Sequence, residues 1–182
     1  AFLLDRTLPD ADLTVLEQSS VVSGRAVTGY RDGVTYDYGA NYVKSDDERV
    51  NELLTETIDA DGLVNVPEPI YVFDETGAVS EGRPPDEYKW TYRTGLAQLG
   101  RRLLDPTAAA VELETRVTAL TRDPDAETWL VEDADGREWG PFDALVLNPP
   151  APETARLLRE ADWTADAREY LIEALAAIEF RA

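Results

Sequence analysis

The residues best suited to chemistry stand at the ends of short apolar runs. Glu17 closes the run 12–17 (DLTVLE). An acid at the end of a strand can accept hydrogen bonds from a ribose 2′-hydroxyl, and it can equally be a solvated carboxylate. Ser23-Gly24-Arg25-Ala26 follows in the next loop. A glycine there lets the backbone approach a phosphate and an arginine can pair with it, although an ordinary loop glycine beside a solvated arginine reads the same way. Then comes Tyr36-Asp37-Tyr38-Gly39-Ala40-Asn41-Tyr42. Its D-x-G core reads as the end of a hairpin whose glycine permits a positive φ. Asp37 is a carboxylate available as a base, and its place at a hairpin end suits a structural hydrogen-bonding role. Tyr71, Phe73, Trp90 and Tyr92 can build an aromatic wall or serve as core and cross-strand pairs. Arg93 can anchor an anion or join a surface ion pair. No residue is assigned as catalytic acid or base.

The elements that must position these residues follow from periodicity and turn chemistry. Phe2, Leu3 and Leu4 before Leu8-Pro9 predict the last turns of a helix stopped by proline. The runs 12–17 and 143–147 (DALVL) predict two buried parallel strands. Asp32-Gly33 predicts a hairpin joining 26–31 to 34–37. Val50, Leu53, Leu54 and Ile58 give one face of a helix over 46–58, capped by Ser45 or Asp46. A second hairpin is expected over 70–79 around residues 74–77, with a polar connection over 82–88. A helix over 95–104 precedes three short strands at 110–122, 128–132 and 137–139, whose turns are Asp123-Pro124-Asp125 and Asp135-Gly136. Helices over 152–160 and 165–180 complete the chain.

Composition removes several classes of function. The chain has 182 residues with no cysteine and no histidine, so thiol chemistry, disulfides, histidine-based triads and Cys/His zinc sites are absent. Its 37 acidic and 17 basic side chains give a net charge of −20, which argues against nucleic-acid or anionic-membrane partners. The mean hydropathy of −0.35 and the lack of a long apolar run argue against a membrane span. The acids are spread among 16 aromatics, and only Lys44 and Lys89 of the basic residues are lysines. That combination resembles the surface of a folded protein from a salt-loving cytoplasm, where salt screens the self-repulsion.

Taken in order, these segments resemble a known group. LTVLEQSSVVSGRAVT, the hairpin, and YDYGANYV are similar to the flavoprotein amine-oxidoreductase superfamily, and most to its renalase-like branch. Those proteins carry a strand ending in Glu, a G-G-R-(A/M) segment and D-x-G-A-x-(Y/F). Thr115-Arg116-Val117-Thr118-Ala119-Leu120, Trp129-Leu130-Val131, the segment FDALVLNPPAP over 142–152, and Thr94-Gly95-Leu96 extend the likeness along the whole chain. The resemblance implies FAD as cofactor and a hydride equivalent taken from an amine or a dihydronicotinamide-type small molecule. It places Glu17 on the ribose of the adenosine, and Gly24 and Arg25 near the pyrophosphate or the flavin. Gly39, Ala40 and Asn41 would lie along the isoalloxazine, bordered by Gly95. Val117 would meet the adenine through its backbone, and Asn148 with Pro149 would close the adenosine side. Ser23 stands where the group has its first glycine.

The fold expected is therefore α/β, a Rossmann-like FAD/NAD(P)-binding domain with an α+β excursion that forms an inserted substrate subdomain, and an antiparallel β-meander. Its parts are expected at 1–45 (FAD-binding), 46–93 (inserted subdomain), 94–150 (return with the meander) and 151–182 (start of the helical substrate domain). A cytoplasmic location and a chain incomplete at both ends are further expectations, with no metal required. Two other readings stay open: a flavin-free scaffold that kept the fold, and an NAD(P)-dependent reductase, because Glu17 suits NAD equally well.

Overall fold

A computed structural model describes residues 1–66, 71–82 and 88–178. The chain folds into two compact units, residues 1–15 with 21–111 and residues 16–20 with 112–182. It passes from one to the other within strand β1 (Thr14–Leu16) and again within strand β8 (Ala110–Glu112).

The first unit begins with α1 (Phe2–Thr7), which ends ahead of Pro9 and buries Phe2. Strands β2 (Thr28–Arg31) and β3 (Val34–Asp37) form the expected hairpin. Asp32 (φ 52°) and Gly33 (φ 81°) supply the two left-handed residues of its turn. That turn sets the register, so Thr28 stands opposite Asp37. The expected helix over 46–58 is two pieces: α2 (Glu48–Glu52) and a π-helical turn over Leu53–Thr57, closed by Ile58 N–H donating to Leu53 O. The wider turn accompanies burial of both Leu54 and Ile58. The cap is Asp47, one residue later than the later of the two expected positions. Its carboxylate accepts from Arg49 N–H, while Ser45 Oγ accepts from Asp47 N–H.

Strand β4 (Leu63–Asn65) pairs antiparallel with β7 (Trp90–Tyr92), a pairing that three-residue runs leave no periodicity to announce. Between them β5 (Tyr71–Phe73) and β6 (Val79–Glu81) form the second hairpin. Ile70 of the expected strand and residues 83–87 of the expected connection lie outside the described residues. Helix α3 is Gln98–Leu104, shorter than expected because residues 95–97 are a turn. Phe2, Leu54 and Ile58 form the core of this unit, with Trp90, Leu99 and Leu103 packed on it.

The second unit holds a three-stranded antiparallel meander, β9 (Val117–Asp123), β10 (Thr128–Asp133) and β11 (Glu138–Phe142), in the order β11-β10-β9. The expected single run over 110–122 is thus two strands in different sheets, separated at Glu114, which adopts φ 55°. Helix α4 (Ala151–Glu160) buries Thr154, Ala155, Leu157 and Leu158 on one face. Helix α5 is Asp166–Ala176, and residues 179 and 180 of the longer helix expected there lie outside the described residues. Leu120, Val131, Trp139, Leu157 and Ala161 form this unit's core.

The run 143–147 is not a buried strand. It carries no ladder partner among the described residues, and Val146 is 78 % exposed while Leu145 and Leu147 pack on the Leu120–Leu157 core. A strand covered on both faces buries successive residues, but this extended segment has apolar cover for one alternation alone.

Candidate functional site

In the second unit, the parallel character expected of β1 shows at Glu17. Its N–H donates to Glu112 O at 2.9 Å and its carbonyl accepts from Thr115 N–H at 2.9 Å, three residues further along the same strand direction. The Glu17 carboxylate folds back so that Oε1 accepts from Ser19 N–H at 2.8 Å. Its other oxygen has no hydrogen-bond partner among the described residues. An acid held half-buried at a strand end, with one oxygen fixed and one free, is an acceptor for a vicinal diol.

Val117 opens β9, half-buried. Leu16, Val117 and Leu147 pack against one core cluster, so Glu17, Val117 and Asn148 all issue from its rim. Asn148 is exposed, and Pro149 O accepts from Thr154 Oγ1 at 3.0 Å, which fixes the start of α4.

In the first unit, the expected residues Gly24, Arg25, Gly39, Ala40, Asn41 and Gly95 gather around one loop. Ala26 N–H donates to Ser23 O, and Ala40 N–H donates to Arg25 O at 2.9 Å. Gly24 lies between these ties with φ 56° and nothing within 4 Å of where a Cβ would stand. Gly39 serves the opposite purpose, because a Cβ there would lie 2.0 Å from Arg25 O. Its missing side chain lets two backbone segments touch. Gly95 (φ 95°) is buried, and a Cβ on it would meet Thr28 Cγ2 at 2.1 Å. Ala40 and Asn41 are exposed.

Three polar side chains tie this loop to residues 95–97. Asp37 Oδ1 accepts from Thr28 Oγ1 at 2.5 Å, and its two oxygens accept from Leu96 N–H at 3.0 and 3.2 Å. Thr28 Oγ1 in turn accepts from Ala97 N–H at 3.1 Å, and Ser23 Oγ donates to Ala97 O at 2.8 Å. Asp37 therefore takes the structural role rather than that of a free base. Thr28 has no motif of its own to mark it, although the Asp-Gly turn already fixes its place opposite Asp37.

Trp90 and Tyr92 belong to the interior. Trp90 Nε1 donates to Asn51 Oδ1 at 2.8 Å, and Tyr92 lies beneath the Arg102 guanidinium, whose carbon stands 4.7 Å from the ring centroid. Burial pushes the Tyr92 hydroxyl's pKa up. Tyr71 and Phe73 are exposed cross-strand partners of Glu81 and Val79. Arg93 is exposed.

These residues fit a dinucleotide in two respects. In the first unit the space beside Gly24 is open, and in the second Glu17 keeps one carboxylate oxygen without a hydrogen-bond partner among the described residues. Gly24 and Arg25 would hold phosphate and Glu17 would hold a ribose.

Comparison with known proteins agrees with this fold. Residues 1–57 match the family described as NAD(P)-binding Rossmann-like domain. Among solved structures, the chain is similar to the CLA-producing fatty acid isomerase from P. acnes (TM-score 0.65, 15% identity over 93% of this chain and 60% of that one). It is also similar to a candidate protoporphyrinogen oxidase from Exiguobacterium sp. 255-15 (TM-score 0.63, 16% identity, 87% and 58%). A third is putrescine oxidase bound to putrescine (TM-score 0.61, 11% identity, 88% and 57%). The chain thus spans less than two thirds of the length of each of these structures. It has a Rossmann-like NAD(P)/FAD-binding fold with mixed helices and strands.

Proposed function

We propose that this chain is the dinucleotide-binding part of an FAD-dependent oxidoreductase that takes a hydride equivalent from an amine or a dihydronicotinamide-type small molecule. The observation that carries the reading is Glu17: a half-buried carboxylate at the end of a parallel-paired strand, pinned by Ser19 N–H with an acceptor oxygen to spare. Gly24, with Arg25 beside it, supplies the backbone approach that a pyrophosphate needs. When bound, FAD accepts the hydride equivalent leaving the substrate carbon, so the substrate is oxidised and the cofactor reduced. The chain's own residues bind and orient. No histidine is needed as base, because amine oxidation by a flavin does not require a strong one. Val117, Asn148 and Pro149 are assigned to the adenosine, and Gly39, Ala40, Asn41 and Gly95 to the flavin side.

The amine class is supported by the likeness to putrescine oxidase, and the renalase-like branch by the segment order from LTVLE to NPPAP. A second reading, a nicotinamide-dependent reductase, is favoured by the match of residues 1–57 to an NAD(P)-binding domain. We further assign the protein to a salt-rich cytoplasm, where no nucleic acid or membrane would be its partner. No helix among the described residues is long and apolar enough to cross a membrane.

Equilibrium titration with FAD, followed by flavin fluorescence and repeated against NAD as competitor, tests the assignment. Saturable FAD binding that Glu17→Gln weakens and NAD does not displace supports the flavoprotein. Displacement by NAD favours the reductase, and binding of neither leaves the flavin-free scaffold.

A further inference from the structure

The loop that carries Gly24 and Arg25 is attached to the rest of its unit by a chain of hydrogen bonds that begins at Asp37. Asp37 Oδ1 receives the Thr28 hydroxyl proton, and both carboxylate oxygens receive Leu96 N–H. Having donated to Asp37, the Thr28 hydroxyl accepts from Ala97 N–H. Ala97 O then accepts from Ser23 Oγ. Ser23 is a non-glycine residue held at φ 138°, outside the conformations an L side chain favours. Such a conformation persists where surroundings over-determine it, and here the Oγ bond to Ala97 and the Ala26 N–H bond to Ser23 O do so. Helix α3 leaves no slack on the far side, since a Cβ on Gly100 would stand 2.4 Å from Ser23 Oγ.

We propose that Asp37 is a positioning residue that sets the conformation of the Ser23-Gly24-Arg25 backbone through Thr28 and Ala97, and thereby tunes dinucleotide affinity without touching the ligand. The inference rests on the dinucleotide reading for its consequence, but the coupling itself is a property of the ligand-free chain. The Thr28 hydroxyl is the one atom through which the Asp37 carboxylate reaches Ala97 N–H. Removing it leaves Ala97 N–H without its acceptor and loosens the residue whose carbonyl holds Ser23 Oγ, although Asp37 still holds Leu96 N–H.

The test compares Thr28→Val, which keeps the shape and removes the hydroxyl, with Thr28→Ser, which restores it, and with Asp37→Ala. Ile58→Val serves as a control, a mild core change in the same unit that removes none of these hydrogen bonds. Amide hydrogen exchange of the ligand-free chain reads the coupling. Faster exchange at Leu96, Ala97 and Ala26 is expected in Thr28→Val and Asp37→Ala, with near-native exchange in Thr28→Ser and in the control. FAD titration reads the consequence. Loss of one part-buried hydrogen bond corresponds to up to about tenfold weaker binding in Thr28→Val and Asp37→Ala, with Thr28→Ser and Ile58→Val close to wild type. Unchanged exchange at Ala26 in Thr28→Val overturns the coupling, and altered exchange with unaltered affinity overturns its consequence. Equal weakening by Ile58→Val makes the effect one of general stability and overturns the positioning role. If the wild-type chain binds no dinucleotide, the functional reading fails and takes the affinity claim with it, while the exchange data still decide the coupling. Should Asp37→Ala not fold, Thr28→Val and Thr28→Ser decide alone.

Discussion

Two glycines of the candidate site differ in why they are glycines, and replacing each by alanine separates the reasons. Gly39 does not adopt a left-handed φ, so alanine's backbone preferences are satisfied there. Its constraint is space: the new Cβ would stand 2.0 Å from Arg25 O and 3.1 Å from both Arg25 C and Val27 N. Those are backbone atoms and cannot rotate away. The two segments must part by about 1 Å to restore ordinary contact, since hard-sphere repulsion admits nothing closer. That parting breaks the Ala40 N–H to Arg25 O bond at 2.9 Å and strains the Tyr38 N–H to Val27 O bond at 3.0 Å. Two such bonds at about 0.5–1.5 kcal/mol each give a loss of about 1–3 kcal/mol. The lower unfolded-state entropy of alanine returns about 0.4–1 kcal/mol, leaving about 0–2.6 kcal/mol from the two bonds, to which the strain of a 2.0 Å backbone contact adds. Gly24 is the converse, with φ 56° and no atom within 4 Å of the new Cβ. Gly24→Ala carries only the left-handed penalty of about 1–2 kcal/mol, less the same return of about 0.4–1 kcal/mol from the unfolded state. Urea unfolding followed by tryptophan fluorescence measures both. Gly39→Ala is expected to have the lower midpoint, although Gly24 has the backbone angle that favours glycine. A Gly39→Ala midpoint equal to wild type, or above that of Gly24→Ala, would refute the close backbone approach.

Leu120 is 2 % exposed at the centre of the second unit's core, and Leu120→Ala is expected to destabilise by about 2–5 kcal/mol, read as a loss of urea midpoint in that unit. Asp133 accepts from Trp139 Nε1 and from the Asp135 and Arg137 amides, and the Trp139 bond foremost holds its pKa below the usual carboxylate range. A depressed folded-state pKa contributes stability above the unfolded value of about 3.9, and that stability is lost as pH falls through the folded value. The gap in melting temperature between wild type and Asp133→Asn should therefore be full at neutral pH and close on acidification, and a gap independent of pH would contradict the assignment. With a net charge of −20, the chain should lose melting temperature on dialysis from molar to low salt, and an unchanged value would remove the salt-adapted reading.

How far the sequence led depended on the range of the interactions involved. The Asp32-Gly33 turn fixed the β2–β3 register and hence the Thr28–Asp37 pair, because a two-residue turn admits one register. The meander turns at 123–125 and 135–136 were legible for the same local reason. Leu96 and Ala97 meeting Asp37 and Thr28 was not, since those bonds span 59 and 69 residues. The run 143–147 misled because an unbroken apolar string implies cover on both faces, and Val146 has none. The π-helical turn at 53–57 shares its apolar residues with an ordinary helix and differs only in packing. In the site, residue types pointed to Glu17, Gly24 and Arg25. Only the folded chain reveals that Gly39 faces Arg25 O and that Glu17 keeps a free oxygen.

The most direct test of the account is the visible absorption spectrum of the protein purified in molar salt. A flavin spectrum, with FAD released on denaturation, is the result predicted. A colourless protein that also takes up no added FAD would contradict it.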